Sequence, residues 1–141
     1  VLLVDCPLEE SAVLEPLRAA GLQTIRLAAP TTAPERMAQL CEVAEGFLYY
    51  VSFAGITGAG RLSTRDIASR VADIRSRARA PVAVGFGVRD AQSAKEIAAF
   101  ADAVVIGSAL VERLDGAGSA GEAVARAKDF LAPIRAALDA H

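Results

Sequence analysis

Apolar positions along this chain alternate between short continuous runs and helical spacing. Residues 1–4 form an apolar run of strand length that ends on Asp5. Glu9-Glu10-Ser11 opens a helical pattern with Val13, Leu14 and Leu17 as its contacts and Gly21 as its stop. Pro16 would be interior to a helix starting at Glu9, at a cost of about 3 kcal/mol, so regular helix is expected from near Leu14. Residues 23–27 read as a second strand. Thr32-Ala33-Pro34-Glu35 has capping-box spacing, and the following helix, to about Ala44, puts Met37, Leu40 and Cys41 on one face. Residues 46–52 alternate as a third strand, with Phe47, Tyr49 and Val51 on one side and Leu48 and Tyr50 on the other. Residues 53–61 carry three glycines and form the longest irregular stretch, a candidate lid at a strand's C-terminal end. Ser63 to Asp66 caps a helix whose Ile67, Val71, Ile74 and Ala78 face a sheet; its arginines fall mostly on the opposite, solvated face.

Two further runs, Pro81-Val82-Ala83-Val84 and Ala103-Val104-Val105-Ile106, lack alternation, as parallel strands buried on both faces do. Residues 92–100 between them read as the crossover helix, capped by Asp90. The runs end on Gly85-Phe86-Gly87 and Gly107-Ser108-Ala109 at the same end of the predicted sheet. Glycine there admits a ligand close to backbone amides, so the two turns suggest a phosphate cup; tight strand-to-helix turns are the plainer alternative. A short helical turn to Arg113 and a final helix over residues 121–140, with Phe130, Leu131, Ile134 and Leu138 inward, complete the chain. Five β/α units in strict alternation predict a parallel α/β fold in one domain, residues 1–141. Two architectures accept them: an open, flavodoxin-like doubly wound sheet, or part of a (β/α)8 TIM barrel. The start inside an apolar strand favours the partial barrel.

Composition narrows the function classes. The core must be aliphatic, since 53% of residues are hydrophobic but only 5% aromatic. A net charge of −2 gives no footprint for nucleic acid or an anionic membrane. No apolar run reaches the roughly 18 residues of a membrane span. Cys6 and Cys41 stand far apart without metal-ligand spacing, which fits a reducing cytoplasm and no metal.

With these residues placed, the chain resembles the α subunit of tryptophan synthase over essentially its whole length. Val4-Asp5-Cys6-Pro7-Leu8-Glu9-Glu10-Ser11 is similar to that family's V-A-D-x-P-x-E-E-S stretch, and Gly55-Ile56-Thr57-Gly58-Ala59, after Tyr49 to Ser52, to its S-x-x-G-x-T-G-A motif. Gly85-Phe86-Gly87-Val88 and Ile106-Gly107-Ser108-Ala109 complete the set. The strands then correspond to strands four to eight of the barrel.

The resemblance implies a lyase of tryptophan biosynthesis that cleaves indole-3-glycerol phosphate by retro-aldol chemistry to indole and glyceraldehyde 3-phosphate. It implies phosphate contacts from Gly58, Gly87, Gly107 and Ser108, a pocket wall from Phe86 and Asp5, and supporting roles for Tyr49 and Thr57. Asp5 has a plainer alternative, capping the turn after its own strand. The family's principal carboxylates lie on its first two β/α units, which these residues do not include, so the chain alone is expected to be inactive. The implied partner is a β subunit in an α2β2 assembly, which alone carries pyridoxal phosphate. Competing readings are another phosphate-binding barrel of tryptophan or histidine biosynthesis, or a non-catalytic half-barrel module that binds a phosphorylated ligand.

Overall fold

A computed structural model describes residues 1–51, 64–85 and 87–140. Its sheet has four parallel strands: β1 (Arg26–Ala28), β2 (Leu48–Val51), β3 (Val82–Gly85) and β4 (Ala103–Val104). Their spatial order is the chain order, β1-β2-β3-β4. A doubly wound sheet reverses strand order at a switch point. No reversal occurs among these strands, so the flavodoxin-like alternative is excluded and the sheet is an arc of a barrel.

Helices α1 (Ser11–Ala19), α2 (Pro34–Val43), α3 (Thr64–Arg77), α4 (Ala91–Ala98), α5 (Ser108–Leu114) and α6 (Ala120–Asp139) alternate with and follow the strands. Strand alternation assigns each sheet face. The rows through Leu48 and Val82, and through Ala28, Tyr50 and Val84, are buried with Met37, Leu40, Ile67, Val71, Ile74, Ala94 and Ile97 of the helices. The row Leu27-Tyr49-Ala83-Ala103 lies on the opposite, concave face.

Several sequence expectations are corrected. The run over residues 1–4 forms a single parallel bridge, Leu2 with Ile25, rather than a full strand, and Val1, Leu2 and Val4 are exposed. β4 is an edge strand, not one buried on both faces: Ala103 is exposed and Val104 to Ile106 are half-buried, because β3 covers only one of its sides. Helix α1 begins at Ser11, and Pro16 lies inside it. A Schellman closure, Leu22 amide to Leu17 carbonyl at 3.0 Å and Gly21 amide to Arg18 carbonyl at 2.9 Å with Gly21 at φ 75°, and the buried Leu14 help offset the bond that proline cannot make. Thr32 does not cap α2. Its hydroxyl accepts from the Ala29 amide at 2.9 Å, and Ala33 takes the cap position with Pro34 following. Asp90 does cap α4, in a reciprocal box with Ser93.

The arginines of α3 are more than a solvated stripe. Arg75 grips Asp102 with two nitrogens, at 2.6 and 3.2 Å, and Arg70 reaches the Pro30 carbonyl at 3.0 Å. These contacts tie α3 to the neighbouring units at both ends.

Candidate functional site

The turns leaving β3 and β4 border one open cavity of about 240 Å³ with Tyr49 of β2. Gly85, Gly87, Val88 and Arg89 line it from the β3 side, and Val105, Gly107, Ser108, Ala109 and Glu112 from the β4 side. The parallel register places the C-terminal ends of these strands together.

Tyr49 lies across the end of β3. A Cβ at Gly85 would sit 2.3 Å from the Tyr49 hydroxyl and 2.7 Å from Cε2, so only glycine admits the phenol there. Burial pushes the Tyr49 hydroxyl above its usual pKa, leaving it protonated at neutral pH. Gly87 answers a different need. Its φ of +48° is left-handed, a conformation side chains resist, and a Cβ there would meet open space.

The two helix starts at this rim are not equivalent. At α4 the Asp90 carboxylate accepts from the Ser93 amide at 2.8 Å, while the Ser93 hydroxyl accepts from the Arg89 and Asp90 amides, each at 3.2 Å. The Ser93 amide, then its hydroxyl, hold the Asp90 carboxyl below its ordinary pKa. That helix start is served by its own side chains. At α5, Gly107 is the cap residue and makes no side-chain bond, and the Leu110 and Val111 amides bond its carbonyl. By helix geometry the amides of Ser108 and Ala109 have no carbonyl beneath them. The β4 side of the cavity is therefore the side with donors to spare, and the Ser108 hydroxyl, exposed beside them, adds another.

Of the residues singled out from sequence, Tyr49, Gly87, Gly107 and Ser108 converge on this cavity. Asp5 does not. It lines a separate cavity of about 440 Å³ beside β1, because β1 and β2 stand between the first segment and the β3 and β4 turns. Nor does its carboxylate cap a turn through any hydrogen bond among the described residues; its φ of 59° is a left-handed turn position, which Asp tolerates. Thr57, Gly58 and Phe86 lie outside the described residues. Sequence reasoning missed Gly85, Arg89 and Glu112. Glu112 could have been found from its i+4 spacing to Ser108, and Arg89 as the first charge after the glycine turn; the need for glycine at 85 depends on where Tyr49 falls. Among the described residues no group of three or more His, Cys, Asp or Glu could hold a metal ion.

Comparison with known proteins converges on one family. A family model described as tryptophan synthase alpha chain matches residues 1–138. The tryptophan synthase alpha chain of Xylella fastidiosa strain 9a5c is 52% identical over 141 residues, covering 99% of this chain and 53% of that protein. That of Burkholderia multivorans is 51% identical over 140 residues, covering 99% of this chain and 51% of its own length. Among solved structures, tryptophan synthase subunit alpha from Legionella pneumophila superposes with a TM-score of 0.81 at 33% identity, over 99% of this chain and 52% of that one. Tryptophan synthase from M. tuberculosis, in its aminoacrylate-bound form, gives 0.77 at 29% identity, over 97% and 49%. The chain spans about half the length of the relatives it matches. A sequential parallel arc with its glycine turns at one rim, matched along nearly its whole length, belongs to the tryptophan synthase alpha chain family as a partial TIM barrel.

Proposed function

We propose that this chain provides the phosphate-holding arc of a lyase that cleaves indole-3-glycerol phosphate to indole and glyceraldehyde 3-phosphate. The observation that carries the proposal is the convergence of Tyr49, Gly87, Gly107 and Ser108 on one cavity. Membership of the family supplies the reaction; the cavity supplies the part of it these residues can perform.

An organic phosphate needs amides, a hydroxyl and nearby positive charge without side chains in the way. Gly87 and Gly107 keep the backbone bare, the first turn of α5 offers amides, Ser108 offers its hydroxyl, and Arg89 is the one cationic residue among the described residues of the lining. Tyr49, protonated and half-buried on the concave face, lines the way from the phosphate toward the indole end. Thr57, Gly58 and Phe86 complete the proposal as closing-loop and wall residues; Asp5, lining another cavity, drops out of it.

Retro-aldol cleavage breaks the bond between the indole ring carbon and the glycerol carbon. A proton must reach that ring carbon and another must leave the glycerol hydroxyl. Glu112 is the one carboxylate among the described residues lining the cavity, on the phosphate side, so both proton transfers are assigned to groups beyond this arc. The chain alone is then a binder without turnover.

We place pyridoxal phosphate only on the partner β subunit of an α2β2 assembly. That cofactor is held through a lysine. This chain's lysines, Lys95 on α4 and Lys128 on α6, do not line the cavity, so the residues present do not fit it. Free thiols at Cys6 and Cys41 suit a reducing, cytoplasmic setting.

The test is indole release from indole-3-glycerol phosphate by the purified chain, alone and mixed with a separately expressed polypeptide carrying the family's preceding β/α units. The expected result is none alone and some on mixing. Release by the chain alone would overturn the division of labour. Failure of the chain to bind glycerol 3-phosphate would overturn the cup itself.

A further inference from the structure

The second cavity has a chemistry of its own. After the Leu2–Ile25 bridge the first segment turns away from β1 at Asp5, and the gap leaves a space of about 440 Å³. Leu3, Leu8, Leu27 and Leu40 make much of its wall aliphatic. Arg26 of β1 lines it too, and is only 5% exposed. Strand pairing puts Arg26 in the row of Leu48 and Val82, both fully buried on the helix side. It is the one charged residue in the buried set of the described residues.

No hydrogen bond or ion pair reaches the Arg26 guanidinium among the described residues, and its Nε is buried without a partner. The other cation in the cavity is already engaged: both terminal nitrogens of Arg36 bond the Glu9 carboxylate. A buried donor without an acceptor carries its full desolvation cost, and the Nε of Arg26 is such a donor. What matches a guanidinium is a planar pair of oxygens. The surrounding leucines call for hydrocarbon, and a guanidinium without a hydrogen bond or ion pair calls for a carboxylate, which Asp5 in the same lining does not supply in this structure.

We propose that this cavity binds a small organic monocarboxylate with an apolar body, its carboxylate forked on Arg26 and its hydrocarbon against Leu3, Leu8 and Leu40. The site shares no lining residue with the Tyr49–Ser108 cavity and is independent of the phosphate reading. Asp5, which lines the same cavity, is the alternative partner for Arg26 within the chain.

The experiment is titration of the chain, followed by NMR, with 3-phenylpropionate, the neutral 3-phenylpropanol and inorganic phosphate. The acid should saturate with a Kd of about 1 mM or below. The alcohol and phosphate should bind at least about tenfold more weakly, since neither offers one flat carboxylate on a hydrocarbon body. Arg26→Met should remove binding of the acid, Arg26→Lys should weaken it because an ammonium has no fork, and Gly107→Val should leave it unchanged. Equal binding of acid and alcohol would overturn the proposal, as would an unaffected Arg26→Met. So would no saturation by the wild-type chain, and if binding then appears in Asp5→Asn, Asp5 is the counter-ion. If Arg26→Met does not fold, the acid-to-alcohol ratio on the wild-type chain decides.

Discussion

The two ends of the strands are built by opposite rules. At the N-terminal end, two carboxylates perform the same task two β/α units apart. Glu45, just before β2, accepts from the Thr24 amide at 3.0 Å and hydroxyl at 3.2 Å, and faces Arg18 of α1 at 3.4 Å. Asp102, just before β4, accepts from the Val82 amide at 2.8 Å and is gripped by Arg75 of α3. Each device joins an arginine of one helix, an amide at the start of the next strand, and a carboxylate from the turn before the strand beyond. At the C-terminal end the turns carry glycines, and Gly87, Gly107 and Ser108 are exposed around a cavity. The contrast is the division of labour expected of a barrel, with stability at the bottom and binding at the top.

The sharpest way to break that comparison is to remove the larger clamp. Asp102→Ala leaves the Val82 amide without its acceptor and the Arg75 guanidinium with only the Phe100 carbonyl at 3.2 Å, and the expected loss is about 2–3 kcal/mol, read from urea unfolding. Affinity for glycerol 3-phosphate, measured on the folded protein, should not move. An equal loss of stability and affinity would mean that the two ends are not separate.

Acid should act on the same devices. In Glu45 the Thr24 amide is the chief cause that holds the carboxyl below its usual range. In Asp102 burial works upward, but the Val82 amide and Arg75 outweigh it and the net direction is again down. A carboxylate whose folded pKa is depressed contributes stability that is complete above its unfolded value, near 4, and is lost as pH falls through the folded one. Stability should therefore be level above about pH 5 and decline below about pH 4, with a shallower decline in Asp102→Asn. A decline that begins near pH 6 would point to other groups.

How much of this was legible depended on range. Strand-length runs and helical spacing are local, so the alternation of elements and the capping role of Asp90 could be read directly. The meeting of Gly87, Gly107 and Ser108 at one cavity was legible as well, because they occupy equivalent places after consecutive strands, and equivalent places in a parallel sheet meet in space. Pairwise geometry was not legible. Nothing near Gly85 in the chain announces that Tyr49 crosses it, and nothing near Asp102 announces Val82, twenty residues earlier. Asp5 was misplaced because its distance from the cup is set by the two strands between them. Thr32 was misread because two local bonds compete for it, and the preceding turn took its hydroxyl rather than the helix.

At the top, Gly107→Val should reverse the pattern of Asp102→Ala. Gly107 has φ −116° and no heavy atom within 4 Å of an added Cβ, so the side chain enters free space. Stability should fall by about 1 kcal/mol or less, the cost of a poorer cap. Affinity for glycerol 3-phosphate should fall by about tenfold or more, because the side chain occupies room the phosphate needs. Gly87 is a less clean probe, since its positive φ would add backbone strain to any affinity change.

The smallest effect separates the two kinds of donor in the cup. Ser108→Ala removes one hydroxyl and leaves the backbone amides, so glycerol 3-phosphate should bind about fivefold more weakly, one hydrogen bond of about 1 kcal/mol. Stability should stay level, since Ser108 is exposed at the first position of α5 and alanine suits a helix at least as well. Calorimetric titration of both variants gives the ratio that matters. A larger loss at Gly107 than at Ser108 is what a cup made of backbone requires, because bulk at one glycine shifts the ligand from several amides at once. The reverse order would make the hydroxyl the principal contact and reduce the glycine to a hinge for the turn.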